Sequence, residues 1–134
     1  MRDDAGGVSA FGDLAGIGPH VVWPGVLGRV VAGERVTFVV VELDPHAVVP
    51  EHAHENEQTG VLAAGLMRLR IGDEQRELEA GGTWHIPANV PHEATAGPDG
   101  AVAVEVFAPP RRDWEALRRR DPSSPAWPVR SGRL

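Results

Sequence analysis

The chain has 134 residues, enough for one domain with a buried core and no need of disulfides. Its 13 Lys and Arg against 19 Asp and Glu give a formal net charge of -6, which repels a phosphate backbone and argues against nucleic acid as a partner. No apolar run reaches the roughly 18 residues of a membrane span, and Met1-Arg2-Asp3-Asp4 lacks the apolar core of a secretion signal, so no membrane partner and a cytoplasmic location are expected.

Missing residue types narrow the chemistry. There is no Cys, Tyr or Lys, which removes thiolate nucleophiles, Schiff-base amines, tyrosyl acid–base groups and sulfur-ligated metals. Serine stands only at Ser9, Ser123, Ser124 and Ser131, near the termini, so a Ser-His-Asp nucleophile has no candidate in the centre. Histidine, carboxylate, Arg and a metal remain.

In chain order, residues 1–25 are Gly-rich at first and weakly patterned, and are set apart as an N-terminal segment. From Val26 to Pro110 short β-branched runs alternate with turn residues at the spacing of an all-β barrel or sandwich. Val26–Ala32 and Arg35–Leu43 flank Gly33-Glu34, and the second run is apolar on both faces, as suits a strand covered on both sides. Gln58–Ala63 and Leu66–Ile71 follow, the latter alternating Met67, Leu69 and Ile71 with Arg68 and Arg70 before a hairpin turn at Gly72-Asp73. Thr83–Ile86, a Pro87–Pro91 turn and His92–Ala96 come next. Gly97-Pro98-Asp99-Gly100 carries the strongest turn signal in the chain and leads into Ala101–Phe107. Residues 111–134 form the last segment: Arg111–Arg118 reads as a short helix whose Trp114 and Leu117 cover the barrel, followed by a Pro-rich extended tail that docks through Trp127.

His52 and His54 are two apart, so on a strand both project to one face and reach one ion; Gln58 has the same parity. An HxH pair alone is a weak signal. It lies, however, within Pro50-x-His52-x-His54-x3-Gln58-x6-Gly65, and Gly81-x5-Pro87-x4-His92 follows. Together these resemble the two motifs of the cupin superfamily, over roughly Val36 to Trp114. The resemblance implies a single-domain cupin, a double-stranded β-helix or jelly-roll-like barrel with a short C-terminal helix. It also implies one divalent ion held by His52, His54, Gln58 and His92; donor type leaves Ni, Zn, Mn, Fe and Co open.

The chain departs from the family pattern in three places. Gln58 stands where Glu is usual, Asn89 where Gly is usual, and Ala96 where the second motif ends in Asn. Asn also accepts left-handed backbone angles. Three neutral His and a neutral amide leave the charge of an ion uncompensated and make it a stronger Lewis acid. A bulge that shifts the register would substitute Glu57 for Gln58.

Glu105 is the lone charge in Ala101-Val-Ala-Val-Glu-Val-Phe107, which places it either near a cation or outward on an edge strand. Arg111 either folds over the barrel mouth to hold an anionic group or starts a helix in solvent. Glu105-Val-Phe107-Ala-Pro109-Pro110-Arg111, after His52-Ala-His54-Glu-Asn-Glu-Gln58, resembles the small cupins of pectin and alginate catabolism that linearise unsaturated uronates. Small polyketide-cyclase cupins share the layout. By position the resemblance gives Glu105, Phe107 and Arg111 catalytic roles, with Glu where the group has Asp.

His85 lies either in the cavity or, as His92 already supplies the third imidazole, outside it. Trp84 reads as core. His20 and His46 read as solvent residues, and Glu51, Glu55 and Glu57 as a solvated rim. The expected function is metal-dependent, non-redox proton transfer on a small carbonyl or hydroxyl compound, by isomerisation, tautomerisation or cyclisation. A metal-dependent dioxygenase and a non-catalytic metabolite-binding barrel are the alternatives. The expected partners are a small-molecule substrate, anionic if Arg111 holds it, and a second copy in a homodimer.

Overall fold

Val39, Val41 and Leu43 point one way from their strand and Val40 the other, and all four are buried, so both faces of this strand are covered. The computed structural model describes residues 9–129, and in them eight strands form one antiparallel sheet rolled into a barrel. They are β1 (His20–Trp23), β2 (Val26–Ala32), β3 (Thr37–Leu43), β4 (Val48–His52), β5 (Glu57–Ile71), β6 (Glu74–Leu78), β7 (Thr83–Ile86) and β8 (His92–Ala108). The main path runs β1-β2-β3-β8-β5-β6, with β4 paired to β8 and β7 to β5. No helix is long and apolar enough to cross a membrane among the described residues.

Two strands are longer than expected, and they build the barrel. Gln58–Ala63 and Leu66–Ile71 are one strand, β5; His92–Ala96 and Ala101–Phe107 are one strand, β8. The turn expected at Gly97–Gly100 is therefore absent. Met67 pairs with Ala96 and Gly65 with Ala101, so four residues of β8 bulge opposite Leu66 alone. Gly65 and Gly100 both sit at φ +80, and a Cβ on Gly65 would meet the Gly100 carbonyl oxygen at 2.2 Å. The turn residues bend a continuous strand instead of reversing it. Before the bend β8 pairs with β4, and beyond it with β3.

The sheet also begins earlier than expected. β1 pairs with β2, and His20, expected in solvent, is buried with its Nδ1 3.3 Å from the Leu117 carbonyl. His46 is exposed as expected. The C-terminal helix is a single 3-10 turn, Arg112–Ala116, whose Trp114 enters the core.

The tail docks through Arg29, and Trp127 is half-buried. Arg29, buried on the outer face of β2, bonds the Ser123 and Ser124 carbonyls, Ser123 Oγ, and the Leu14 and Ile17 carbonyls. Glu42 balances its charge at 3.2 Å and takes the Ala126 amide. A buried cation so fully paired ties both chain ends to one face; removing its carboxylate would cost about 3–5 kcal/mol.

Candidate metal centre

Three elements converge at one end of the barrel. β4 ends on His52, His54 lies in the loop after it, and His92 opens β8. His52 and His92 are register partners, with ring centroids 4.2 Å apart. The expected single strand carrying His52, His54 and Gln58 on one face is thus not found. A bend at Glu55-Asn56 separates the histidines from β5, and Gln58 faces inward by the parity of β5, with Leu62. Asn56 ties this loop to the Pro110 carbonyl at 3.3 Å. Asn89, at φ 65, donates its amide to the His54 carbonyl at 2.7 Å, so Asn supplies the left-handed residue that props the loop.

Each imidazole faces a backbone carbonyl through Nδ1: His52 to Pro50 at 2.8 Å, His54 to Asn56 at 3.0 Å and His92 to Val90 at 2.9 Å. A carbonyl only accepts, so Nδ1 carries the proton and Nε2 of each neutral ring is left bare, buried in His54 and His92. Burial lowers all three pKa values, opposed by these bonds, and His92 is pushed down to about 4. The nearby Arg111 charge lowers them further. The rings therefore remain unprotonated near neutral pH, as ligation requires.

The donor set fits an ion. One nitrogen from each of His52, His54 and His92 lies within 4.8 Å of the others. His54 Nε2, His92 Nε2 and Gln58 Oε1 are buried without a hydrogen-bond partner. Orphaned buried acceptors are costly, and a cation shared among them removes that cost. Gln58 is oriented for this by its other end: Nε2 donates to Glu105 Oε2, which turns Oε1 away. Glu57 points outside, where it bonds His85 at 2.7 Å with both side chains more than half exposed. A Glu57 ligand is thus not found, and His85 lies outside the cavity. Glu51 and Glu55 are exposed, Glu51 in reach of Arg70 at 3.2 Å.

Glu105 lines the cavity on the same face as Ala103 and Phe107. Since β8 lies between β3 and β5, the outward edge position is overturned. Glu105 Oε2 also accepts from Trp84 Nε1 at 3.0 Å. Burial raises the carboxyl pKa, while both donors and the Arg111 charge oppose the rise. Phe107 is buried edge-on to His54, with ring centroids 5.6 Å apart.

Arg111 is only 7% exposed, so it does not start a helix in solvent. Its guanidinium carbon lies 4.9 Å from the ring centroids of both Phe107 and Trp114, and its Nε and Nη2 hold Asp113 at 3.1 and 3.0 Å. Asp113 occupies the fork that an anionic substrate was expected to take, leaving Nη1.

Three contributors were not read from the sequence. Trp23 stands 4.9 Å from the His52 ring on the cavity wall, in a segment with no pattern to expose it. Trp84 shares parity with Ile86, a signal for the interior but not for its contact with Glu105. Gly60 pairs with Trp84 on one side and Glu105 on the other, a relation visible only in the sheet.

The cupin domain model matches residues 39–107. No curated protein sequence matches the chain. Among solved structures, an RmlC-like cupin from Shewanella frigidimarina is similar with a TM-score of 0.74 at 21% identity, over 80% of this chain and 96% of that one. KdgF from a Halomonas species is 29% identical, with a TM-score of 0.66 over 71% of this chain and 88% of that one. Oxalate decarboxylase from Bacillus subtilis is 24% identical, with a TM-score of 0.66 over 79% of this chain but 31% of that one. Family match, sheet topology and three converging histidines agree, and the chain belongs to the cupin family.

Proposed function

We propose that the protein is a metal-dependent enzyme that moves a proton on a small carbonyl or hydroxyl compound, without net oxidation. His52, His54 and His92 through Nε2, with Gln58 through Oε1, would hold one divalent ion. Such an ion, when bound, supplies a Lewis acid toward a substrate oxygen.

The observation that supports this reading best is Glu105. Its carboxylate lies on the cavity wall and hydrogen-bonds Gln58, itself beside the histidines. Oε2 is occupied by two donors, and Oε1 is left to take a proton from a carbon next to the carbonyl and return it to another atom. Burial raises its pKa and makes it a stronger base than an ordinary carboxylate. Phe107 and Trp114 exclude water, and Arg111 adds positive charge at the mouth. Isomerisation, tautomerisation and cyclisation are all within reach of this arrangement.

The test is proton exchange. Metal-stripped protein reloaded with redox-inert Zn is incubated without oxygen in deuterated water with 2-oxo acids and uronates, and deuterium uptake beside the carbonyl is followed by NMR. The reading expects faster exchange than with Zn alone. Activity that requires oxygen and vanishes with Zn would favour the oxygenase, and binding without exchange would favour the metabolite-binding barrel.

A further inference from the structure

We infer that the site takes a carbonyl compound with a flat or aliphatic body and a single anionic group, and that it selects against polyhydroxylated sugar acids. This rests on the proton-transfer reading for its use of Glu105, but the cavity wall carries it independently.

The wall is poor in free polar atoms. The cavity is lined by Trp23, Val41, Leu43, Met67 and Leu69 among other aliphatic and aromatic side chains. Its polar residues are few and already engaged. Gln58 and Trp84 give their N–H groups to Glu105, Glu93 is bound by Arg70, and Arg111 holds Asp113. The histidines spend Nδ1 on backbone carbonyls. Apart from the inward Nε2 and Oε1 atoms that suit an ion, the side chains leave one acceptor, Glu105 Oε1, and a few N–H donors: Arg111 Nη1, the second hydrogens of Arg111 Nη2 and Gln58 Nε2, and the indole N–H groups of Trp23 and Trp114.

Those atoms match one exchangeable proton and one anionic group. A uronate brings several further hydroxyls, and with one acceptor to share most of their hydrogens would lose water without gaining a partner. An aromatic or aliphatic body loses nothing of that kind and gains contact with Trp23, which stands beside His52 at the metal end. Trp23 is then a specificity-determining residue.

Calorimetric titration of the Zn-loaded protein with phenylpyruvate and, separately, glucuronate tests this; each probe carries one carboxylate, and pyruvate, which keeps the 2-oxo acid head without the ring, separates contact with the body from chelation of Zn. We expect phenylpyruvate to bind at least about tenfold more tightly, and Trp23→Ala to weaken phenylpyruvate about tenfold with Zn content and glucuronate binding unchanged. Equal or tighter binding of glucuronate overturns the inference, as does no measurable binding of phenylpyruvate or a Trp23→Ala loss that falls equally on both probes. Preserved phenylpyruvate preference with no accelerated exchange would sink the proton-transfer reading alone.

Discussion

Trp84 reaches Glu105 across an empty position: its Nε1 lies 3.0 Å from Glu105 Oε2, and the residue between them on β5 is Gly60. A Cβ at Gly60 would stand 2.5 Å from the indole ring. Gly60→Ala therefore has to displace Trp84, and we expect about 1–3 kcal/mol of destabilisation from overpacking. Trp84→Phe removes the donor and also part of a buried ring, leaving a cavity beside Gly60. Both variants therefore disturb packing, and turnover is the measure of positioning. Thermal melts should fall for both, while Trp84→Phe should lose about tenfold in turnover with normal substrate affinity and Gly60→Ala, which keeps the donor, should lose less. Equal turnover in Trp84→Phe and the native protein would remove Trp84 from the site's machinery.

The His54 and His46 side chains offer a contrast in metal retention. His54 Nε2 is buried and unpartnered beside His52 and His92, whereas His46 is an exposed residue at φ 61 in the turn before β4. His54→Ala should lose most bound metal, and His46→Ala should keep it. Elemental analysis of the two purified variants checks this, and equal contents would remove His54 from the donor set.

What the sequence made legible followed from local rules. Thr83–Ile86 is bounded by Gly and Pro and alternates cleanly, so its strand matches β7. The cupin motifs brought His52, His54 and His92 together, although His54 stands in a loop where strand parity does not apply. The failures were non-local. Gly97-Pro98-Asp99-Gly100 has turn chemistry, but pairing on both sides with β5 holds it in an extended strand as a bulge. His20 looked solvent-exposed because its cover, the chain around Leu117, lies 97 residues away. The tail's anchor on Arg29 is hidden for the same reason, since nothing near Arg29 in sequence announces Ser123.

Asp113 competes for Arg111. It is 67% exposed, holds Nε and Nη2 of a guanidinium that is nearly buried, and has its own pKa lowered by those bonds. Asp113→Asn weakens that hold, and we expect phenylpyruvate to bind a few-fold more tightly, with stability changed by less than about 1 kcal/mol because the carboxylate is solvated. Calorimetry and a thermal melt of one variant decide both. Weaker binding would mean that Asp113 positions the guanidinium for ligand instead of occupying it.

The amide at position 58 is explained by Glu105. Gln58 Nε2 donates to Glu105 Oε2, so a carboxylate at 58 would face another carboxylate unless one of them took a proton. Gln58→Glu should retain metal through its new oxygen, yet lose about 1–3 kcal/mol of metal-free stability and much of its turnover. The double variant Gln58→Glu with Glu105→Gln restores a donor–acceptor pair with its direction reversed. We expect its melting temperature to recover and its turnover not to, because the base is gone. Recovery of turnover in the double variant would show that Glu105 acts only through the hydrogen bond.

Glu105→Gln alone gives the sharpest separation of roles. The new amide oxygen still accepts from Gln58 and Trp84, so the wall and the orientation of Gln58 Oε1 survive. Metal content should therefore stay at the native level, and phenylpyruvate should bind as before. What the amide cannot do is take a proton from carbon at neutral pH, and exchange on the Zn-loaded protein should fall on the order of 10²-fold. Loss of metal along with exchange would make Glu105 a positioning residue for the ligand Gln58. Undiminished exchange with metal intact would move the base elsewhere among the described residues, and Glu93, the other carboxylate lining the cavity, would be the next to substitute.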